Sequence, residues 1–498
     1  MAVRGFWFEN ALCLVEEDGA LSASRRSIET DGPRIKALHA PGSPPAAGCD
    51  FVDASGLIAA PGLVNCHTHS PDNLARGTAP DLPLELWSLT SSAAREGREG
   101  QDIRLSTLLG AIEMMRCGTT TVLDHVRISP DIDFDALDAV ASAWLASGMR
   151  VVIAPIVADR SVIETLPFDE GDLHGLDLSA YGSRRPLPAA EQMAAVEAFH
   201  AKWHGAGEGR ISIAVGPSGP QRCSDDLMVR ANDFSRRHAA LLHTHVLETR
   251  LQREMGRRLH PGGMIAHLHA LGVLHERTNL VHAIWLEESD AERIAAAGAT
   301  VVHNPVSNAR LGSGFCPLPR LLAAGVRVGL GTDSASCNDG GNLLETTKWA
   351  ALLHNLADDD ETGWIGPQRA LKLATSGGAE VLGLSDAGRL RAGAFADITF
   401  FRLNAPAFVP LNDPVRQLVL AESGSAIERV LVAGREVVRD GRCTLLDEEA
   451  IWGEARTSAA RTGRAGTAVL AATHALEAPI RRLRARYGVR GWGACSCH

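Results

Sequence analysis

Between residues 57 and 334 the chain alternates short β-branched or apolar runs with longer stretches of helical periodicity, and this alternation constrains the fold more than any other feature. The runs are LIAAPGLVN (57–65), TTTVLDH (119–125), RVVIAPIVA (150–158), ISIAVGPS (211–218), ALLHTHV (240–246), NLVHAIWL (279–286), ATVVHNPVS (299–307) and RVGLGTDS (327–334). Helical patterns over 102–117, 135–147, 224–238, 288–297 and 342–357 separate them. A helical crossover returns the chain to the same end of a sheet, so the strands it joins run parallel. The units predict an α/β chain closed into a (β/α)8 barrel of the TIM type, with an open doubly wound sheet as the alternative. Residues 1–56 and 388–445 instead alternate in the β manner around turn clusters such as DGP and PGSPP. They are expected to join as one small β-sandwich formed from both chain ends. The expected division is therefore sandwich (1–56), barrel (57–387), sandwich (388–445) and a helical C-terminal arm (446–498) that serves packing or oligomer contacts.

Composition decides between classes of partner. Lys+Arg 49 against Asp+Glu 59 gives a net charge of −10, which offers no general attraction to phosphate backbones or anionic lipid. Neither nucleic acid nor membrane is an expected partner; a small-molecule substrate is. No uncharged apolar run approaches the roughly 18 residues of a spanning helix, and MAVRGFWFENALCLVEED meets acids before a signal-like core forms. A cytoplasmic homo-oligomer is expected. The ten cysteines are scattered without a CxxC pair and read as reduced thiols. The terminal CSCH (Cys495, Cys497, His498) reads as a loose tail rather than a metal site.

In a barrel of this type the reactive groups gather at the carboxyl ends of the strands. The first run ends in His67 and His69, which share a face because strand side chains alternate. The fifth ends HTHVLET: His245, nearer the top, is the third candidate ligand, and the deeper His243 reads as a core histidine. Asp333, in GLGTDS, ends the eighth run among small residues, and an acid there needs a cation or several donors. His67, His69, His245 and Asp333 make an N3O set for one divalent metal, Zn2+ in the first instance and Fe2+ as an alternative, with a position left for water or substrate. Glu248 follows His245 by three residues, with helix capping as its structural alternative, and His282 ends the sixth run, with a core position as its alternative.

PGLVNCHTHS, the HxxE element from His245 to Glu248, His282, HNPVSN at 303–308 and GTDS with Asp333 together resemble the amidohydrolase superfamily. The similarity spans about 55 to 400. It is nearest the mononuclear aminohydrolases, which include S-adenosylhomocysteine and methylthioadenosine deaminases, guanine and cytosine deaminases, and s-triazine hydrolases such as atrazine chlorohydrolase. Binuclear members bridge two cations with a carboxylated lysine at the end of strand 4. The lysines here are Lys36, Lys202, Lys348 and Lys372, and none lies there.

The resemblance implies catalytic roles for Glu248, His282 and Asp333. Glu248 protonates a ring nitrogen, Asp333 carries the proton of water to the leaving group, and His282 holds the water and the developing oxyanion. The implied function is hydrolytic displacement of an amine or other leaving group from an electrophilic ring carbon of a small nitrogen heterocycle. Hydrolysis of an amide or urea C–N bond, as in an arylurea, is the enzymatic alternative, and a non-catalytic interaction protein on a retained barrel is a remote one. Candidate substrate-binding residues are Arg76, Trp87, His125, Ser218 and Asn304. Ser218, in GPSGPQRCS, stands where adenosine-type deaminases carry a histidine in a PHAP-like string. Adenosine derivatives are therefore expected to be poor substrates.

Overall fold

The computed structural model describes residues 5–17, 19–93, 95, 97–128, 132–176, 186–356, 360–462 and 467–488. The CSCH tail lies outside them. The barrel strands are β1 (Leu63–Thr68), β2 (Thr119–Val126), β3 (Arg150–Val157), β4 (Ile211–Ile213, continued by Gly216–Pro217), β5 (Leu242–Val246), β6 (Thr278–His282), β7 (Thr300–His303) and β8 (Arg327–Leu330). Hydrogen-bonded parallel pairs link β1 through β4, and again β5 through β8. Two parallel bridges, Val215 with Leu242 and Thr68 with Asp333, join these halves into a closed (β/α)8 barrel. The strands are buried on both faces, which explains their nearly continuous apolar composition. Val64, Cys66, Leu123, Val152, Ala154, Ala214, Val281 and Val302 pack in one cluster with Ala379, Val381 and Leu382.

The run at 57–65 does not form one barrel strand. Leu57–Pro61 pairs antiparallel with Ile398–Arg402 and belongs to a nine-stranded sheet built from both ends of the chain. Only Leu63–Thr68 enters the barrel. The crossing falls at Gly62, where a Cβ would run into the Thr120 side chain. An apolar run gives no sign of such a change of sheet, because both of its halves are buried.

Arg150, at the start of β3, anchors the barrel to that sheet. Its guanidinium bonds Asp397 at 3.1 and 3.4 Å and lies 3.7 Å over the Phe395 ring. Asp397 also accepts from the Ala433 amide at 2.6 Å. Both charged side chains are buried, so Asp397→Ala strands a guanidinium away from water. A loss of about 3–5 kcal/mol in unfolding free energy is expected by denaturant titration.

The arm contains helices Glu448–Thr462 and Thr467–Tyr487. Leu476 and Ile480 of the second pack with Leu86 and Leu89 of helix Leu84–Ala93. Arg484 bonds buried Glu85 at 2.6 Å, Tyr487 meets Arg258 at 2.5 Å, and Arg486 meets Asp169 at 2.5 Å and Asp172 at 2.8 Å. These partners belong to the connections that follow β1, β3 and β5. No helix among the described residues is long and apolar enough to cross a membrane.

Candidate metal centre and active site

β1 carries a bulge between Asn65 and Thr68, where its register with β2 shifts. The bulge breaks strict alternation, so Cys66, packed in the inner cluster, is followed directly by His67, which faces His243. His69 lies one residue beyond the strand and caps the turn Ser70–Ala75. Asp333 sits at φ +62° and His282 at +71°, in the left-handed region. Such backbone costs on the order of 1 kcal/mol or more per residue and collects at functional sites. The neighbouring Gly331 is required by space, since a Cβ there would fall 2.7 Å from that of His67.

The imidazoles are oriented by acceptors behind them. His69 Nδ1 donates to the His125 carbonyl at 2.6 Å, and His245 Nδ1 donates to the Ser218 carbonyl at 2.5 Å. Each neutral ring therefore keeps its lone pair on Nε2. His67 Nδ1 lies 2.9 Å from His243 Nε2, while its own Nε2 is buried with no hydrogen-bond partner. Asp333 Oδ1 stands 3.4 Å from His67 Nε2 and 3.5 Å from His69 Nε2. The ligating atoms of His67, His69, His125 and His245 all lie within 4.8 Å of one another. A buried, orphaned imidazole nitrogen among converging lone pairs and a carboxylate fits a divalent cation.

The electrostatics agree with the donor geometry. Burial pushes the His69 imidazole down to about 3, helped by His67. His245 and His243 are held well below the ordinary imidazole value, first by burial and then by His67. Burial opposes ionisation of Asp333, but His67, His282 and His69 hold its carboxyl well below the usual range. Burial pushes Glu248 up to about 7, against the pull of His282.

Glu248 Oε2 is 3.6 Å and Asp333 Oδ2 3.9 Å from His282 Nε2. His282 Nδ1 lies 2.9 Å from Asn308 Oδ1, which orients the ring so that Nε2 faces the two carboxyl groups. Thr249, not Glu248, caps helix Arg250–Leu259 through its hydroxyl. Glu248 is 4% exposed, and its carboxylate accepts from Ser313 at 3.3 Å. In metal-stripped protein, Glu248→Gln should therefore add stability at alkaline pH. A raised carboxyl pKa costs stability as pH rises from the unfolded value near 4.5 to about 7. The advantage of Gln should grow through that window to about 3 kcal/mol and vanish below it, as read by unfolding at pH 4.5 and pH 8.

The other sequence candidates separate. Trp87 donates to the Ser336 carbonyl at 2.8 Å and packs with Leu311 and Cys337, beside the β8 loop. Ser218 acts through its main chain, holding His245. Asn304 is buried with its Nδ2 3.4 Å from His282 Nδ1. Arg76 is half exposed and pairs with Glu113. His125 lies fully buried within the imidazole cluster. The sequence reading missed Asn65, whose side chain accepts from Thr332 N at 3.1 Å and donates to Thr332 Oγ1 at 2.8 Å, pinning β1 to β8 beneath the ligands. Its signal was a polar residue inside an apolar run.

A profile of the amidohydrolase family matches residues 58–437. The chain belongs to the amidohydrolase family. It is 35% identical over 414 residues to a 5-methylthioadenosine/S-adenosylhomocysteine deaminase of Desulforudis audaxviator, covering 83% of this chain and 88% of the relative. It is 32% identical over 410 residues to a 5'-deoxyadenosine deaminase of Methanothermobacter thermautotrophicus, covering 82% and 88%. An atrazine chlorohydrolase from Arthrobacter aurescens TC1, solved with zinc, superposes with a TM-score of 0.82 at 27% identity, over 91% of this chain and 100% of that one. This amidohydrolase is accordingly an enzyme of the hydrolase class on a TIM-type barrel.

Proposed function

We propose that this amidohydrolase is a mononuclear metal-dependent aminohydrolase that displaces an amine, or another leaving group, from an electrophilic ring carbon of a small nitrogen heterocycle. The observation that carries the reading is the approach of the His67 and His69 nitrogens to Asp333, with His245 in the same imidazole cluster and Glu248 and His282 alongside. Relatives named as nucleoside deaminases and a neighbour named as an atrazine chlorohydrolase share hydrolytic substitution on a nitrogen ring. A single centre is supported by the lysines, none of which lies on a barrel strand.

His67, His69, His245 and Asp333 would hold the cation, zinc in the first instance, which supplies Lewis acidity and an activated water when bound. The chain's own groups divide the proton traffic. Glu248, balanced near neutrality, donates to a ring nitrogen as the adjacent carbon becomes tetrahedral. Asp333, held anionic, accepts the proton that water gives up and delivers it to the leaving group. His282, oriented by Asn308, turns its Nε2 beside Glu248 and Asp333 to hold the attacking water. The wall beside His69 is cationic: Asp72 is matched by Arg95 at 2.6 and 2.7 Å, while Arg127 is pushed down to about 9 by burial and by Arg95 and Arg222.

The test is elemental analysis followed by ammonia release and ultraviolet change across purines, pterins, triazines and arylureas. About one equivalent of metal per chain is expected after dialysis; two would overturn the mononuclear reading and none the metal-dependent one. Methylthioadenosine and S-adenosylhomocysteine should show a lower kcat/KM than the best monocyclic ring, since no imidazole stands at Ser218 to address a purine nitrogen. We assign the enzyme to the cytoplasm, supported by the free thiols of Cys13, Cys66, Cys223 and the other described cysteines. A homo-oligomer is expected in sedimentation.

A further inference from the structure

The Asp72–Arg95 pair takes no part in the proton traffic, yet it is built into the same corner of the molecule. Asp72 lies in the turn Ser70–Ala75, three residues past His69, and its amide donates to the His69 carbonyl at 3.0 Å. It is 1% exposed. Arg95 grips both of its oxygens, Nε on Oδ1 at 2.6 Å and Nη2 on Oδ2 at 2.7 Å. A two-pronged pair of this kind fixes the plane of the carboxylate as well as its charge. Oδ2 also lies 2.7 Å from Ser334 Oγ. A carboxylate oxygen only accepts, so the hydroxyl proton of Ser334 is committed to Asp72.

Ser334 in turn holds the residue before it. Its amide donates to Asp333 Oδ1 at 2.7 Å. Because a hydroxyl has one hydrogen to give, the Ser336 hydroxyl is the donor in its 2.8 Å contact with Ser334 Oγ, and the Ser336 amide adds a bond at 3.1 Å. The Ser336 carbonyl is anchored by Trp87 Nε1 and Arg310 Nη1, both at 2.8 Å. Asp333 needs such support, because left-handed backbone at a non-glycine residue persists only where the neighbours over-determine it. On the strand side, the Asp333 amide donates to the His67 carbonyl at 2.9 Å and its carbonyl accepts from Thr68 Oγ1 at 3.1 Å. On the loop side the hold is Ser334, and the charged anchor of Ser334 is Asp72.

We propose that Asp72, clamped by Arg95, is a positioning residue that aims the Asp333 carboxyl through Ser334. The inference rests on the metal-dependent reading above. Oδ1, bound to the Ser334 amide, is the oxygen near the His67 and His69 Nε2 atoms, and Oδ2 is the oxygen near His282. A Ser334 free to turn would let the two oxygens lose these separate directions. The short turn after β1 therefore sets both His69 and, through Ser334, the carboxyl that follows β8.

The experiment compares wild-type protein with Ser334→Ala, Asp72→Asn and the double variant, each loaded with zinc alone and titrated with a competing chelator. Each single substitution should lower zinc affinity about tenfold, the lower end of what an outer-shell partner costs. The double variant should lose little more than the single ones, since both act along one line of contacts, whereas independent effects would multiply to about 100-fold. Loaded with cobalt(II) alone, Ser334→Ala should show an altered visible absorption band, which reports how the carboxyl addresses the ion. Ser334→Ala with an affinity within about threefold of wild type and an unchanged cobalt band, or a double variant whose loss is the product of the single ones, would overturn the role of Asp72. Wild-type protein that retains no zinc would overturn the metal-dependent reading itself, and the proposal with it. Asp72→Asn leaves a buried guanidinium without its counter-charge. If that variant does not fold, Arg95→Lys, which keeps the charge but gives up the paired N–H groups, takes its place in the comparison.

Discussion

Zinc-loaded Glu248→Gln should retain its full equivalent of metal and its fold while turnover falls by at least about 100-fold, the range in which a positioned proton donor contributes. Glu248 contacts Ser313 and faces His282 but is not among the converging ligating atoms, so exchanging its carboxyl for an amide leaves the cation site intact. The amide has the same shape but cannot pass a proton to a ring nitrogen. The pH profile provides a second readout. Glu248 sits near 7 because of burial, so wild-type kcat should decline as pH rises above that value, and the residual rate of the variant should lack that limb. Turnover near the wild-type rate would remove Glu248 from the chemistry.

His245→Ala should have the larger effect, because it removes the metal. Its Nε2 lone pair is presented to the centre only because Nδ1 is committed to the Ser218 carbonyl. Losing an outer-shell partner costs about 10- to 100-fold in metal affinity, and losing the ligand itself should exceed that. Dialysed His245→Ala should contain substoichiometric zinc and turn over no substrate, with circular dichroism unchanged. His243→Ala, which removes only the group behind His67, should fall in the outer-shell range. A His245→Ala protein that keeps one zinc equivalent through dialysis would mean that the remaining groups suffice without it.

The barrel was legible because alternating short apolar runs and helical stretches are a direct imprint of parallel strands buried on both faces. The residues that meet at the centre were legible for a similar reason: His67, His69, His245, His282 and Asp333 all stand at or just past the carboxyl ends of those runs. What escaped was whatever depends on the main chain or on a third dimension. The carbonyls of His125 and Ser218 orient two ligands, and no side-chain pattern records a carbonyl. Ser218 drew notice for its side chain, whereas any residue could supply the carbonyl. Asn308, noticed only as part of HNPVSN, orients the His282 ring through Nδ1. Arg76 was a candidate for substrate binding, but Glu113, 37 residues away, claims its guanidinium. The passage of 57–65 from one sheet to another hinges on the space available at Gly62, which hydrophobicity does not encode.

The last helix bears on how the mouth opens. Its residues grip Glu85, Asp169, Asp172 and Arg258, on the connections after three different barrel strands. Three loops that share one latch do not fluctuate independently. Fraying of Thr467–Tyr487 would release them together, so admission of a bulky ring and local melting of the chain's end become a single cooperative event. Amide hydrogen exchange in the three connections should then report one common opening rate, and a ligand that fills the mouth should slow exchange in a helix it never touches.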